Sequence, residues 1–380
     1  MDFRLDGLDA DLYELADTTL ARFLPDDVVA SDASLADGIV PGAWQDLAGA
    51  GVLEALLPER LGGAGLPSYV GHALVRLGGE HGSMVPTLPV ITALLALTRE
   101  PDDERFDELL AEVVHGRALI TSAVREPAGR WVEDMQTTAT PQGDGYVLTG
   151  RKTFVQLGRS ATHVLVPALA PHGPIVAVVR SGAKGVTWVD QLVQSHVPAA
   201  AMQLDHVEIS SDRVLGLGES VHTAARDLDW TTSISMCAAA AGTLHRALEL
   251  AVAHVSERQQ FGRPIGSFQA VKMQLADAHI AAAAHRSMAD AAAWQLYRRQ
   301  SDEVRRSVAA ATYLMAHDLP SAVLTCQHVL GGTGMDTDHP MHRFVITALD
   351  LAGMLGGVDA CLDRSPAWST PIPVLHAEVG

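Results

Sequence analysis

Arg258-Gln259-Gln260-Phe261-Gly262-Arg263-Pro264-Ile265-Gly266-Ser267-Phe268-Gln269 joins two helical patterns and sets the frame for the rest of the chain. Upstream, Leu244, Leu248, Ala251, Val252 and Val255 recur at helix spacing. Gly262, Pro264 and Gly266 then break the helix, since glycine loosens the backbone and proline cannot donate to the ladder. Ser267 is placed to cap a following helix whose apolar face is Phe268, Val271, Leu275 and Ala278. The reading is a helix hairpin whose bend presents Arg258, Arg263 and an exposed Phe261. An arginine there can grip a phosphate through two parallel hydrogen bonds, with the aromatic against a flat ring. On spacing alone, an arginine paired with a carboxylate beside an ordinary turn is the favoured reading.

A second stretch, Gln327-His328-Val329-Leu330-Gly331-Gly332-Thr333-Gly334, reads as a helix ending in glycines. Glycines let a backbone approach another molecule closely, or simply terminate the helix. Just beyond, Asp336, Asp338, His339 and His342 have metal-ligating chemistry, but so short a loop reads as a polar connection, and no metal site is assigned.

The flanking chain fits a large α+β protein. Its 380 residues are 48% hydrophobic and 19% charged, enough for an extensive core. Helical spacing runs through 9–24, 44–53, 70–81, 90–97 and 106–114, giving an all-helical N-terminal domain over 1–115. Gly62, Gly63 and Gly65 lack the order and the Lys-Ser/Thr of a P-loop and read as a flexible connection. From Gly116 short β-prone runs alternate with turns. Thr137–Thr140 and Tyr146–Thr149 form a hairpin, and 164–166, 175–179 and 186–189 are further strands of a β-sandwich or barrel over 116–218. From Asp227 the pattern returns to helices, a C-terminal bundle over 219–380. Its Ala281–Ala284 and Ala291–Ala293 runs allow close packing.

A net charge of −18 argues against nucleic acid and against an anionic membrane surface. Cys237, Cys326 and Cys361 are widely separated and fit free thiols in a reducing cytoplasm. No leader pattern opens the sequence. The nearest approach to a membrane span, 234–255, carries His245, Arg246 and Glu249.

The run Glu257 to Ile265, followed by Phe268-Gln269 and Leu275-Ala276-Asp277, resembles the signature of the acyl-CoA dehydrogenase family. Helical domain, β domain and four-helix bundle is that family's layout. The resemblance implies FAD as cofactor and an acyl-CoA substrate desaturated between Cα and Cβ. It also implies an electron-transfer flavoprotein or similar acceptor. It places Arg258, Gln260, Phe261, Gln327 and Gly331 against FAD, often that of a neighbouring subunit.

Other positions depart from the family pattern. The segment that resembles the family's Thr-Glu-Pro FAD and acyl-CoA contact reads Arg125-Glu126-Pro127-Ala128-Gly129-Arg130. The flavin-flanking Lys-x-Trp-Ile-Thr/Ser has become Lys152-Thr153-Phe154-Val155-Gln156. The two places where the family keeps its catalytic carboxylate hold Ala352 and Thr232, so no catalytic residue is evident. Asp229 and Asp350 lie nearby and read as solvated surface groups. Intact C-terminal motifs beside eroded β-domain motifs point to a divided active site. Some actinobacterial members of the family are α2β2 heterotetramers, including those acting on steroid side-chain CoA thioesters. In them one subunit carries the base and the other completes the FAD pocket, and this chain resembles the latter. The alternatives are a self-sufficient homotetramer using Asp229 or Asp350, a flavin monooxygenase, and a scaffold subunit that binds no cofactor.

Overall fold

The computed structural model describes residues 5–31, 40–127, 132–217, 223–299 and 301–363. Six helices come first: α1 (Gly7–Phe23), α2 (Asp26–Ala30), α3 (Pro41–Gly49), α4 (Ser68–Glu80), α5 (Thr87–Leu97) and α6 (Asp107–Val114). Eight strands follow: β1 (Ile120–Ser122), β2 (Thr138–Gln142), β3 (Gly145–Gln156), β4 (His163–Ala170), β5 (Gly173–Arg180), β6 (Val186–Gln191), β7 (Ala199–Ser210) and β8 (Val214–Leu215). Then come α7 (Ala224–Glu257), the short strands β9 (Gln259–Gln260) and β10 (Arg263–Pro264), α8 (Gln269–Tyr297), α9 (Ser301–Leu330), α10 (Met341–Met354) and α11 (Gly357–Asp363). The family-like layering of helices, sheet and helical bundle is therefore present.

The sheet runs β6-β7-β3-β2-β4-β5-β8, with β1 added parallel to β4. Two of its corners are two-residue hairpins: Gln142 pairs with Gly145 across Gly143-Asp144, and Ala170 with Gly173 across Pro171-His172. On β5 the side chains alternate as a strand dictates. Ile175, Ala177 and Val179 enter the sheet's own core, while Val176 and Val178 join the helical core. That alternation fastens the sheet to the helices. β1, β7 and β8 had no counterpart among the expected strands. Ala199-Ala200-Ala201-Met202 has weak β-propensity, but β7 is wedged between β3 and β6 and takes its conformation from their ladders.

α7 is the axis of the molecule, about 50 Å long at 1.5 Å per residue. Up to Leu244 it is buried nearly all round, packed by α4, α5, α8, α9 and α10, and beyond that it exposes one side. Small residues make the α4 crossing. A Cβ on Gly242 would sit 1.9 Å from the Arg76 carbonyl oxygen, and one on Gly79 would sit 2.2 Å from that of Ala239.

Three expectations change. Ser267 does not cap α8: its hydroxyl donates to the Pro264 carbonyl at 2.6 Å, inside the bend. Val252 is 45% exposed, outside the core stripe of Leu244, Leu248, Ala251 and Val255. The segment nearest to a membrane span by length and hydropathy is Met341–Asp363, not 234–255. It is broken by left-handed Gly356 and Gly357 (φ +87° and +82°). It also carries a buried Arg343, which donates to the carbonyls of Val29 and Ser195, and it packs as a core element.

Candidate functional site

The bend between α7 and α8 is a miniature β-hairpin. Gln260 pairs with Arg263 and Gln259 with Pro264, leaving Phe261-Gly262 as a two-residue turn with φ of +53° and +75°. Both positive angles are what the right-handed twist of such a hairpin requires. Glycine adopts that region freely, whereas phenylalanine there costs about 1–2 kcal/mol. The Phe261 side chain nevertheless stands 91% exposed. It touches Phe268 edge to face at 6.1 Å, and the Arg263 guanidinium lies 4.2 Å from the Phe268 ring centroid. Arg258 is exposed, with no ion pair among the described residues. Its carbonyl accepts the Ile265 N–H at 2.8 Å, closing the base of the hairpin.

α7 to α8 and α8 to α9 are joined by short bends, so α7 and α9 run parallel and end on the same side of the bundle. The second motif sits at that end. Gln327 donates from Nε2 to the Gly334 carbonyl at 2.9 Å, which curls the end of α9. Gly331 is left-handed (φ +61°), and a Cβ on Gly331 or Gly332 would meet open space. The fold thus gathers Arg258, Gln260, Phe261, Gln327 and Gly331 at one exposed end of the bundle.

The cleft between sheet and helices is different. One cavity of about 40 Å³ lies between Leu88, Thr92, Thr121, Arg125, Phe154 and Thr232. A neighbour of about 30 Å³ is lined by Ser195, Val197, Thr347 and Asp350. The two share Leu88, Pro89, Gln156 and Met354. Thr232 spends its hydroxyl on the Leu228 carbonyl at 2.8 Å, and Ala352 is buried on α10. Neither can take a proton. Phe154 lines the first cavity in a left-handed conformation (φ +52°), its N–H donating to Gln191 Oε1 at 2.7 Å.

Below Phe154, the buried Lys152 ammonium lies 2.8 Å from Glu126. The same carboxylate accepts the Thr137 hydroxyl and N–H at 2.6 and 2.9 Å and the Gln136 N–H at 2.6 Å. Burial alone would raise the Glu126 pKa. Lys152 and these donors more than offset it and hold it below the ordinary carboxylate range. The cluster braces β3 against the Arg125-Glu126-Pro127 segment; Ala128, Gly129 and Arg130 lie outside the described residues.

Neither candidate aspartate is the solvated surface group expected. Asp229 is fully buried on α7 and lines neither cavity. Asp350 is half-buried and accepts the N–H groups of Gln194 and Ser195 at 3.1 and 2.6 Å. The polar loop after α9 is also internally satisfied. Asp336 takes the Asp338 N–H, His339 Nδ1 takes the Met341 N–H, and His342 bonds the His339 carbonyl. Two histidines elsewhere, His72 and His285, are buried.

The acyl-CoA dehydrogenase C-terminal domain model matches residues 230–368. Acyl-CoA dehydrogenase FadE28 of Mycobacterium tuberculosis is 31% identical over 316 residues, 83% of this chain and 88% of the relative. FadE27 of the same organism is 32% identical over 328 residues, 84% of this chain and 86% of its own. Among solved structures, the ChsE4–ChsE5 complex from Mycobacterium tuberculosis superposes with a TM-score of 0.86 at 29% identity, covering 98% of this chain and 100% of that one. The Tcur3481–Tcur3483 steroid acyl-CoA dehydrogenase gives 0.84 at 31%, covering 94% and 96%. With this degree of identity across most of both chains, and the same order of helices, sheet and bundle, the chain belongs to the acyl-CoA dehydrogenase family of oxidoreductases.

Proposed function

We propose that this chain is the flavin-completing subunit of an FAD-dependent acyl-CoA dehydrogenase built from two kinds of family member, with the catalytic base on the partner. The observation that carries the reading is a contrast in shape. Phe261 is held strained and exposed at the end of the bundle, its one ring contact an edge-to-face meeting with Phe268. The chain's own cleft holds only about 40 and 30 Å³. Sites for drug-sized ligands run to about 300–1,000 Å³, so a flavin ring and an acyl thioester do not fit there. The exposed end does fit one wall of a flavin site. Arg258 offers a forked cation for a phosphate, Phe261 a flat apolar face, and the open backbone at Gly331 and Gly332 close approach.

Bound in the assembly, FAD supplies the hydride acceptor for α,β-dehydrogenation. This chain's share is to bind and orient: Arg258 and Gln260 take polar groups of the cofactor, Phe261 packs against its flat portion and excludes water, and Gln327 and Gly331 close the far side. The proton is removed elsewhere, since Thr232 and Ala352 are no bases. Two-component relatives, one of them named for steroid substrates, support an α2β2 assembly and a steroid side-chain CoA thioester as substrate. An electron-transfer flavoprotein is the fitting acceptor, and three buried free thiols suit a reducing cytoplasm.

The test is the visible absorption spectrum of the chain purified alone and then co-expressed with family members from the same genome. Colour and a stable complex only on co-expression support the divided site. About one flavin per chain in the lone protein sinks it. A second reading, a self-sufficient enzyme with Asp350 as base, has one observation in its favour: Asp350 lines the cavity adjoining Thr232's. Both its oxygens are already engaged by backbone N–H groups, which is why it ranks second.

A further inference from the structure

A large concavity lies away from the cleft, between α7 and α8, in two continuous parts of about 660 and 540 Å³ that share Leu248, Val252 and His279. We infer that this groove seats an amphipathic helix of the partner subunit, its apolar stripe flanked by Asp and Glu. The inference rests on the divided-site reading and says which surface holds the two chains together.

Shape gives the first argument. The groove runs along α7 from Ala241 to Ser256, about 22 Å at helical rise, the length of a helix of about fifteen residues. The α8 wall is a helical face: Lys272, Leu275, Ala276, His279, Ala282, Ala283 and Arg286 follow spacings of three and four. Its alanines let another backbone approach. Next to this face on α8, Met273 and Ile280 stand 59% and 66% exposed, seven residues apart, and Val252, 45% exposed, lines the groove from α7. Apolar positions recurring at this interval are what a docking helix needs.

Charge gives the second. In a chain of net charge −18, the titratable groups of the α8 wall are all basic: Lys272, His279 and Arg286, at intervals of seven. On the opposite wall Arg76 pairs with Glu80 at 2.9 Å, and Arg246 is matched by Glu249 and Asp26 at 3.0 and 2.9 Å. His245 lies 3.4 Å from Glu249. Arg286 reaches Asp290 only at 3.7 Å, and the side chains of Lys272 and His279 have no ion pair or hydrogen bond among the described residues. The unmatched charge is positive and lies on α8. A two-fold pairing of this groove with its own copy would set those cations against themselves, so the face favours an acidic, different chain over self-association. The groove ends at Pro264 and Gly266, at the root of the Phe261 hairpin, so a helix seated there brings the partner's body beside Phe261.

The test is the triple variant Lys272→Glu, His279→Glu, Arg286→Glu, all exposed positions. Its affinity is measured against the family member that copurifies with the chain, at low and high salt. Binding at least about tenfold weaker at low salt, with the salt dependence reversed, is expected. Unchanged affinity and salt slope overturn the groove while leaving the divided site standing, provided the complex still binds flavin. If no family member pairs with the chain, both readings fall. A measurement independent of any partner uses two synthetic helical peptides of about fifteen residues with one leucine stripe, flanked by glutamates or by lysines. The unmodified chain should bind the glutamate peptide at least about tenfold more tightly, and the triple variant should lose that preference. No binding, or equal binding, overturns the inference.

Discussion

The Asp350 carboxylate accepts the Ser195 N–H at 2.6 Å, from 155 positions further along the chain. Its other oxygen takes the Gln194 N–H at 3.1 Å, and Arg343, two turns earlier on α10, donates to the Ser195 carbonyl at 3.0 Å. One helix thus holds both the N–H and the C=O of Ser195 and shuts the β6–β7 loop over the cleft. Asp350→Asn removes a charge-assisted acceptor. It should lower stability by about 1–3 kcal/mol in chemical denaturation and leave turnover of the flavin-bearing complex unchanged. Turnover lost by orders of magnitude at unchanged stability would instead make Asp350 the base.

That latch shows where sequence reading stops. The bend at 258–269 was legible because glycine and proline between two helical stripes have few structural solutions, and its exposed Phe261 followed. The closed cleft was not, since its walls come from α5, β1, β3, α7 and α10 and no local pattern encodes their separation. Asp229 was misread for a related reason: the N-terminal part of α7, where it lies, is packed by other elements all round, and nothing local in the sequence separates it from the later part that exposes His245 and Glu249. β7 was missed because alanines carry no strand signal until β3 and β6 supply partners.

Lys152 and Glu126 make a buried pair with its remaining lone pairs satisfied, the case in which losing one member is worst. Lys152→Met should cost about 3–5 kcal/mol, because the Glu126 charge is then left in the interior. Adding Glu126→Gln should recover part of that loss: the amide oxygen still accepts from Thr137, and no charge remains to be solvated. A double variant less stable than Lys152→Met alone would contradict this electrostatic account.

Acid should weaken the fold through two histidines. Burial pushes His72 down to about 3 and His285 down to about 4, from an ordinary value near 6.5. His72 has one partner, Ser235 Oγ at 3.1 Å from Nδ1. A depressed histidine is neutral in the folded chain while the unfolded chain takes up the proton. Its contribution is therefore complete above about pH 6.5 and declines as pH falls toward the folded value. Each histidine should remove about 2 kcal/mol between pH 7 and pH 5, at about 1.4 kcal/mol per pH unit below 6.5. Urea unfolding at the two pH values measures the fall, and His285→Met should remove close to half of the histidine share. Equal stability at both pH values would rule out buried neutral histidines.

Two glycines should respond to alanine with opposite signs. Intrinsic preference favours alanine in any helix by about 1 kcal/mol. At Gly242 the new Cβ would lie 1.9 Å from the Arg76 carbonyl and 2.9 Å from the Glu80 N–H, both backbone atoms of α4 that cannot rotate aside. α4 and α7 would have to separate, disturbing the His72–Ser235 contact and the Arg76 side of the basic groove. Overpacking of this kind costs about 1–3 kcal/mol or more, so it outweighs the helical preference, and Gly242→Ala should lower the melting temperature. At Gly353 on α10 the new Cβ meets nothing within 4 Å and the helix is regular. There Gly353→Ala should raise stability by about 0.5–1 kcal/mol, chiefly by restricting the unfolded chain. Calorimetry of the two variants side by side tests the packing of α4 on α7: a Gly242→Ala protein as stable as Gly353→Ala would mean that the helices do not cross backbone to backbone.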